Sequence, residues 1–482
     1  MQICTKYLIS LLGYMDLSRT PYTYCPHSVW GLKVKSAKVA SYPVSNNRKG
    51  MYPPGSTKVL ERFFNLPLDY ADPNGKKIRI FARNLIPTHK AKTQEEQDKL
   101  PYCGPGFECE LDGILQIASV IHEQGYQTLW LDSRGTGLST PFSAELVEGQ
   151  LDSEIFEYLK HFRADNIVRD CEAIREVLIG QNPDPEARKW TILGQSFGGF
   201  CALTYLSFFP QGLKEVFLTA GLTPLVDHPD TVFDCLMKKV IERNKIYYEK
   251  YPKDVDRVRQ ILQHLDTNRV LLPNGGNMSP QRWLQLGIDF GMHGGIDRTH
   301  QLVLRAANDL ELFNKLSYRL LHKIETKQEC DSNPFYAILH EVIYCQGRAA
   351  NWACSKVISN YPNFLWSHMQ KQPADTPVYF TGEMVFPEML DEFRNLRSLK
   401  NVAAMIAEYD GWPSLYDVDQ LAKNTVKVTS ATYVDFERAQ ETAGKIGNLE
   451  QYINNQHMHS AIRKEPTTVL SALFRVSKRE MD

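Results

Sequence analysis

The stretch Thr191–Pro210, TILGQSFGGFCALTYLSFFP, decides the fold. An apolar run ends in a Gly-Gln-Ser-Phe-Gly turn, and small residues at helical spacing follow it. A G-x-S-x-G turn between a strand and a helix holds its serine exposed and strained, and we expect side chains at Gly194 and Gly198 to collide with that turn. The helix start directs backbone N–H groups at a reacting carbonyl, with the Phe197 amide as the natural oxyanion donor. The stretch therefore predicts Ser196 as a nucleophile.

Strands and helices alternate on both sides of this turn. Residues 58–70 and 78–87 are strand-like and are joined by the turn formers ADPNGKK, which predicts a β-hairpin. The apolar segment 126–132 predicts a buried strand, 162–180 has apolar residues at helical spacing, and 215–221 is strand-like again. This alternation predicts an α/β fold with a mostly parallel sheet and helices on both faces.

The chain is predicted to divide into four parts. Residues 1–54 have few periodic patterns and end in crowded turn formers, so we expect an atypical or poorly ordered N-terminal extension. Residues 55–224 form the first part of the α/β core. Residues 225–424 are mainly helical and rich in aromatic residues, which predicts an inserted cap. Residues 425–482 return to strand and helix patterns and complete the core.

Composition and charge narrow the class of protein. The chain of 482 residues is 43% hydrophobic and 23% charged, with a net charge of −1, so nothing favours a nucleic-acid or anionic membrane partner. Ten scattered cysteines form no C-x-x-C pair, which predicts free thiols and no metal site. No apolar run reaches the ~20 residues of a membrane span, and the N-terminus lacks a small-x-small cleavage site. We expect a cytoplasmic protein.

Three motifs in order carry a resemblance to a known family. GPGFEC (104–109), WLDSRGTGLSTP (130–141) and GQSFGGF (194–200) resemble the proline iminopeptidases, which are prolyl aminopeptidases of the α/β-hydrolase fold. The likeness runs from about Val59 to the C-terminus and is closest to the long fungal and actinobacterial members. It implies a serine peptidase that releases an N-terminal proline by a Ser-Asp-His mechanism. It also implies small peptide substrates with a free N-terminus and no metal or cofactor.

The resemblance assigns roles to individual positions. Ser196 matches the nucleophile, and Gly104 and Gly106 match the oxyanion loop. His459, in NNQHMHSAIR, matches the catalytic histidine, with His457 as the second choice. The order serine, acid, histidine agrees with the hydrolase scheme.

Recognition of a free N-terminal amine requires a carboxylate in a partly dry cap. Glu341 and Glu383 each lie among apolar residues of the predicted cap, and the resemblance points to both as amine anchors. An ordinary buried or exposed cap carboxylate would give the same pattern.

The chain departs from the family at two places. The apolar strand before the oxyanion loop is reduced to a few residues before Cys103, so we expect the sheet to lack an internal strand. The acidic segment after the strand that ends at Tyr433 is also missing, which leaves Asp435 as the nearest candidate for the triad acid and Glu437 as another. Lost peptidase chemistry or misplaced splice junctions would each leave such gaps.

Two other functions compete with the peptidase. A catalytically impaired hydrolase-fold protein would bind amine-bearing peptides or a partner without turnover. An esterase-type α/β hydrolase would use the same serine on esters and ignore peptides. The fold alone implies none of the three, and the sequence gives no oligomeric state.

Overall fold

The computed structural model describes residues 28–29, 32–33, 36–43, 57–93, 96–97, 102–103, 111–433 and 437–479. Its strands are β1 Ser28–Val29, β2 Leu32–Lys33, β3 Ser36–Pro43, β4 Thr57–Pro67, β5 Lys77–Pro87, β6 Tyr102–Cys103, β7 Gln127–Leu131, β8 Trp190–Gln195, β9 Leu213–Thr219, β10 Lys427–Tyr433 and β11 Leu449–Asn454. Its α-helices are α1 Leu111–Glu123, α2 Asp152–Leu159, α3 Ala164–Ile179, α4 Phe197–Phe208, α5 Asp230–Lys250, α6 Asp254–Thr267, α7 Pro280–Leu284, α8 Gly295–Phe313, α9 Tyr318–Glu325, α10 Pro334–Leu339, α11 Ala353–Ile358, α12 Trp366–Met369, α13 Met389–Glu392, α14 Lys400–Glu408, α15 Val418–Ala422, α16 Glu437–Ala443, α17 Ala461–Lys464 and α18 Pro466–Lys478.

A nine-stranded sheet, in the order β11-β10-β9-β8-β6-β7-β5-β4-β3, forms the centre of the fold. Its strands from β11 to β7 pair in parallel, whereas β5, β4 and β3 pair antiparallel at the other edge. The parallel half follows from the strand–helix alternation, because a parallel connection needs a crossover. The predicted hairpin is β4 and β5, and the predicted strand–turn–helix unit is β8 followed by α4.

The internal strand expected to be missing is present as β6. Tyr102 and Cys103 pair with Gln127 and Thr128 of β7, and Cys103 also pairs with Thr191 of β8. That expectation is therefore wrong: two residues in register are enough to bridge the strands on either side. The sheet is therefore continuous across β6.

The N-terminal edge also differs from expectation. Ser36–Pro43 is the edge strand β3, paired antiparallel with β4 from Ser36↔Phe64 to Pro43↔Lys58. The boundary predicted after residue 54 therefore separates two paired strands, because the local pattern of the segment does not reveal a partner that follows later in the chain. The other domain boundaries stay predictions.

Helices occupy the chain between β9 and β10, from Asp230 to Ala422. Part of this region packs around its own apolar cluster, which includes Tyr247, Trp283 and Phe380. Another part, including Phe233 and Val385, belongs to the same cluster as the helices on the sheet. Along the described ranges, no helix combines the length and apolar character needed to cross a membrane. The cysteines whose side chains the structure describes carry free thiols: Cys171, Cys201, Cys235, Cys330, Cys345 and Cys354.

The D-x-R-G-x-G segment after β7 anchors the core through a buried ion pair. The Arg134 guanidinium donates to both carboxylate oxygens of Asp170 in α3, at 2.8 and 2.6 Å. It also donates to the backbone oxygens of Leu68 and His161, at 2.8 Å each. The side chains of Arg134 and Asp170 are 0% and 1% exposed. One arginine thus ties the segment after β7 to α3 and to the β4–β5 turn.

Candidate active site

Ser196 occupies the sharp turn between β8 and α4. Its φ of 56° and ψ of −117° lie in a region that L-residues rarely adopt. Two glycines permit the turn. A Cβ on Gly194 would lie 2.4 Å from the carbonyl oxygen of Gly198, and one on Gly199 would lie 1.9 Å from that of Gly221. The side chain of Ser196 therefore stands at the C-terminal edge of the sheet on a tightly constrained backbone.

Gly198 differs from the sequence-based expectation. In the described part of the chain, apart from its chain neighbours and the backbone of its own helix, no atom lies within 4 Å of an ideal Cβ at this position. The close contacts fall on Gly194, whose Cβ would meet the Gly198 backbone, and on Gly199. The sequence motif identifies the turn correctly, but the packing constraint lies one residue further along the helix than we expected.

His459 contacts the serine. Its Nε2 lies 2.9 Å from Ser196 Oγ. The loop after β11 holds it there: the side-chain amide of Gln195 donates to the His459 carbonyl oxygen at 3.3 Å, and Ser460 Oγ lies 3.1 Å from Nδ1 of His293. This is the hydrogen-bonded arrangement that a general base and a nucleophile require.

His457, the second choice, lies elsewhere. It is 7% exposed, and its ring packs edge-on against Tyr433 with centroids 5.7 Å apart. Its backbone N–H donates to Asn454 Oδ1 at 3.0 Å. The structure therefore distinguishes the two histidines: His459 reaches the serine, and His457 packs behind the loop.

Burial favours the neutral form of His459. Burial lowers its pKa to about 4, against a smaller opposing effect of the Glu383 carboxylate. A histidine that is neutral at pH 7 can accept the proton of the serine hydroxyl. The site therefore holds its base in the protonation state that the attack step needs.

The oxyanion and acid positions are only partly described. Phe197 is the first residue of the twelve-residue helix α4, so its N–H lies at the positive end of the helix dipole, beside Ser196. Gly104, Gly106 and Asp435, predicted for the oxyanion loop and the triad acid, lie outside the described residues. Glu437 begins α16.

A cavity of about 230 Å³ opens over the serine. It is bounded by the ends of β9 and β10 and by one face of α5. Its lining is mainly apolar and aromatic, with few polar groups, as is usual for a small-molecule site. The aromatic and titratable side chains that line it are Phe197, Phe200, Phe233, Tyr344, Tyr433, Cys235, Lys239, His340, Glu383 and His459.

Glu383 shares this cavity with Ser196 and His459. Its side chain is 44% exposed. Tyr336 donates its hydroxyl to Glu383 Oε1 at 3.1 Å, and His340 Nε2 lies 3.9 Å from the same oxygen. An anionic group is thus present in a mainly apolar cavity beside the nucleophile.

Glu341 has a different position from the one predicted. It is 5% exposed, and its two carboxylate oxygens accept the backbone N–H groups of Ala353 and Cys354 at 2.9 Å. It is not among the described residues that line the cavity. Burial raises its pKa to about 7. Glu341 therefore satisfies the orphan donors at the start of α11, and its prediction as an amine anchor is not supported.

The sequence analysis missed Tyr336 and His340. They are four residues apart at the end of α10, so their side chains lie on the same helix face, and both reach Glu383. The spacing of a tyrosine and a histidine just before Glu341 indicated that they share a helix face. Nothing in the sequence indicated that this face contacts Glu383, a carboxylate 43 residues beyond His340.

The sheet, the serine turn and the paired histidine define an α/β hydrolase, and the family model of the alpha/beta hydrolase fold matches residues 103–266. The chain is 38% identical over 440 residues to "Proline iminopeptidase aneH" of Aspergillus aculeatus, which covers 89% of this chain and 96% of that protein. It is 37% identical over 428 residues to "Proline iminopeptidase" of Aeromonas sobria, covering 86% and 96%. The chain therefore belongs to the proline iminopeptidase family of α/β hydrolases.

Among solved structures, the chain is similar to Rv0554 from Mycobacterium tuberculosis, with 13% identity, a TM-score of 0.37 and coverage of 86% and 98% of the two chains. The relatives confirm the family and the fold that the sequence motifs predicted. The chain is a serine hydrolase similar to the proline iminopeptidases.

Proposed function

We propose that this chain releases an N-terminal proline, or a similar residue, from small peptides with a free N-terminus. The observation that carries the proposal is the 2.9 Å contact between Ser196 and His459 in a cavity that also holds Glu383. Two relatives whose names state that they are proline iminopeptidases, at 37% and 38% identity, support it.

The proposed reaction is acylation followed by hydrolysis. His459 Nε2 takes the proton of Ser196 as Oγ attacks the carbonyl carbon of the first residue, and the Phe197 N–H donates to the oxyanion. The imidazolium then protonates the leaving amine, and the shortened peptide departs. In the second half, His459 takes a proton from water as the water oxygen attacks the acyl carbon. The imidazolium then returns that proton to Ser196 Oγ as the acyl–oxygen bond breaks, and the free amino acid leaves.

Glu383 provides the proposed recognition of the substrate amine. A charged amine that enters an apolar cavity loses solvation, so it needs a carboxylate partner inside. Glu383 has its exposed surface available for that contact and lines the same cavity as the nucleophile. Flat aromatic faces around it suit a proline ring.

Asp435 remains the proposed triad acid. The support is its place in the sequence, two residues after β10, where a hydrolase acid belongs. Asp435→Asn should lower kcat by ~10⁴ if it orients His459, with Glu437→Gln as the matched control. Normal turnover by Asp435→Asn would refute the assignment.

The test is fluorophosphonate labelling together with turnover of proline naphthylamide. We expect the wild type to label and turn over, and Ser196→Ala to do neither while it unfolds at the same denaturant concentration. Glu383→Gln should label normally but have a raised KM for proline naphthylamide. A protein that labels and cleaves simple esters but not proline naphthylamide would be an esterase, and a folded protein without labelling would be a binding protein.

A further inference from the structure

The Glu383 carboxylate has one occupied oxygen and one that is open. Tyr336 donates to Oε1, and His340 Nε2 approaches the same oxygen. Among the described residues, Oε2 has no hydrogen-bond partner, while the side chain lines the cavity. Tyr336 therefore fixes the carboxylate from one side by a hydrogen bond, His340 lies near the same oxygen at 3.9 Å, and the other side is left to a ligand.

Tyr336 is held as a hydrogen-bond donor. Burial raises its pKa well above the usual value, so the phenol stays protonated at any pH at which the protein works. Phenolate formation beside a carboxylate would be unfavourable as well. The Tyr336 hydroxyl therefore donates to Oε1 at every working pH, and it cannot compete with a substrate amine because it brings no positive charge.

His340 faces Glu383 with the nitrogen that can carry a proton. The residue is 5% exposed, and its ring stacks against Phe233 of α5 with centroids 6.3 Å apart and planes inclined by 29°. Its Nδ1 is buried without a partner in the described part of the chain, so a neutral ring is best satisfied with the proton on Nε2, directed to Glu383. Burial lowers the pKa of His340 below 6.5, which keeps it neutral at pH 7.

We propose that Tyr336 is a positioning residue for Glu383 and that His340 controls the charge beside it: Tyr336 holds Oε1 by a hydrogen bond so that Oε2 receives the ammonium of the substrate, and the two residues thereby set the affinity for peptides with a charged N-terminus. The inference rests on the proposed function. It deepens that function by assigning the amine site to three side chains, of which only Glu383 touches the substrate.

A second consequence concerns acid pH. A protonated His340 is a cation beside Glu383 and competes with the substrate ammonium, so the KM for a charged amine rises as the pH falls. The described titratable side chains around His340 and the cavity come from several segments. Tyr336 and Tyr344 lie four residues before and after His340, Cys235 and Lys239 belong to α5, and Glu383 and His459 lie in later loops. Of these, only Glu383 interacts electrostatically with His340 to raise its pKa.

The first experiment separates affinity from chemistry with Tyr336→Phe. Loss of a hydrogen bond to a charged group should raise the KM for proline naphthylamide about tenfold and leave kcat within about twofold. The rate of labelling by a fluorophosphonate that carries no amine should not change. Tyr248→Phe is the matched control, because it removes a buried hydroxyl that donates to Val378 outside the cavity. It should leave KM unchanged.

The second experiment uses pH. KM of the wild type should rise at acid pH, where His340 becomes protonated, and His340→Asn should reduce that rise while the pH dependence of kcat stays the same. An unchanged KM in Tyr336→Phe, or an equal pH response in His340→Asn, would overturn the inference. Wild-type protein that fails to turn over proline naphthylamide would instead overturn the proposed function, so the two failures are distinguishable.

Discussion

The substitution Gly199→Ala tests whether close packing behind the serine holds the active site. The added Cβ would lie 1.9 Å from the carbonyl oxygen of Gly221, about 1.5 Å closer than the 3.4 Å at which ordinary contact begins. The next atoms, at 2.5 and 2.6 Å, are also Gly221 backbone, so no flexible side chain can yield. Either the start of α4 or the segment after β9 must move by more than 1 Å.

Both stability and activity should respond to that movement. Overpacking of this kind costs ~1–3 kcal/mol of unfolding free energy. A displacement of ~1 Å at a reacting group costs about a hundredfold in rate. We therefore expect Gly199→Ala to unfold at a lower urea concentration and to lose about a hundredfold in kcat/KM. Gly194→Ala, whose Cβ would lie 2.4 Å from the nearest atom, should lose less stability.

The assay is urea unfolding followed by fluorescence, with kcat/KM for proline naphthylamide measured on the same preparations. The matched control is Gly113→Ala on the exposed surface of α1, where no described atom lies within 4 Å of the new Cβ. Because Gly113 lies in the first turn of α1, the change should alter the free energy of unfolding by less than ~1 kcal/mol, and it should leave kcat/KM unchanged. If Gly199→Ala retains wild-type stability and activity, the packing argument for the serine turn is wrong.

Three further predictions follow from buried groups. Arg134→Met should lower the free energy of unfolding by ~3–5 kcal/mol in urea titrations, because it removes the cationic partner of the buried Asp170 and leaves that charge with the Tyr70 hydroxyl; a change below 1 kcal/mol would contradict this. Burial raises the pKa of Glu341 to about 7 from 4.5, so the folded state holds that proton more tightly and the free energy of unfolding falls as pH rises between these values; Glu341→Gln should reduce this slope in urea titrations across the interval and leave KM unchanged. Because burial lowers the pKa of His459 to about 4, kcat should persist as the pH falls through 6.5; a stopped assay of proline naphthylamide that shows an acid limb at or above 6.5 would refute that reasoning.

Local patterns predicted most of the fold. The strand–turn–helix at Ser196 follows from an apolar run, a glycine-bounded serine and small residues at helical spacing, and the structure has β8 and α4 at those positions. Pairing between distant segments was harder to predict. The sequence Ser36–Pro43 does not indicate that its pairing partner is β4. Two residues, Tyr102 and Cys103, are too few for a periodic pattern to identify a strand.

The two histidines of NNQHMHSAIR show the same limit at the site. His457 and His459 are two residues apart, so the sequence gives both the same general position. It does not tell which of the two contacts Ser196. The choice is made by the loop, in which the Asn454 side chain accepts the His457 N–H while Gln195 donates to the His459 carbonyl oxygen. These contacts join residues more than 250 positions apart in the second case, so they exist only once the sheet has formed.

The two cap carboxylates separate for a physical reason that the sequence does not contain. Glu341 and Glu383 both lie among apolar residues, and a charge in such surroundings must find partners that compensate for lost solvation. Glu341 finds them within the protein, since the Ala353 and Cys354 N–H groups satisfy both of its oxygens. Glu383 receives its described hydrogen bond on one oxygen and has its exposed surface in the cavity. A carboxylate near the nucleophile that lacks a full set of hydrogen-bond partners is stabilised most by a cationic ligand. We therefore expect the substrate amine to bind Glu383 and not Glu341.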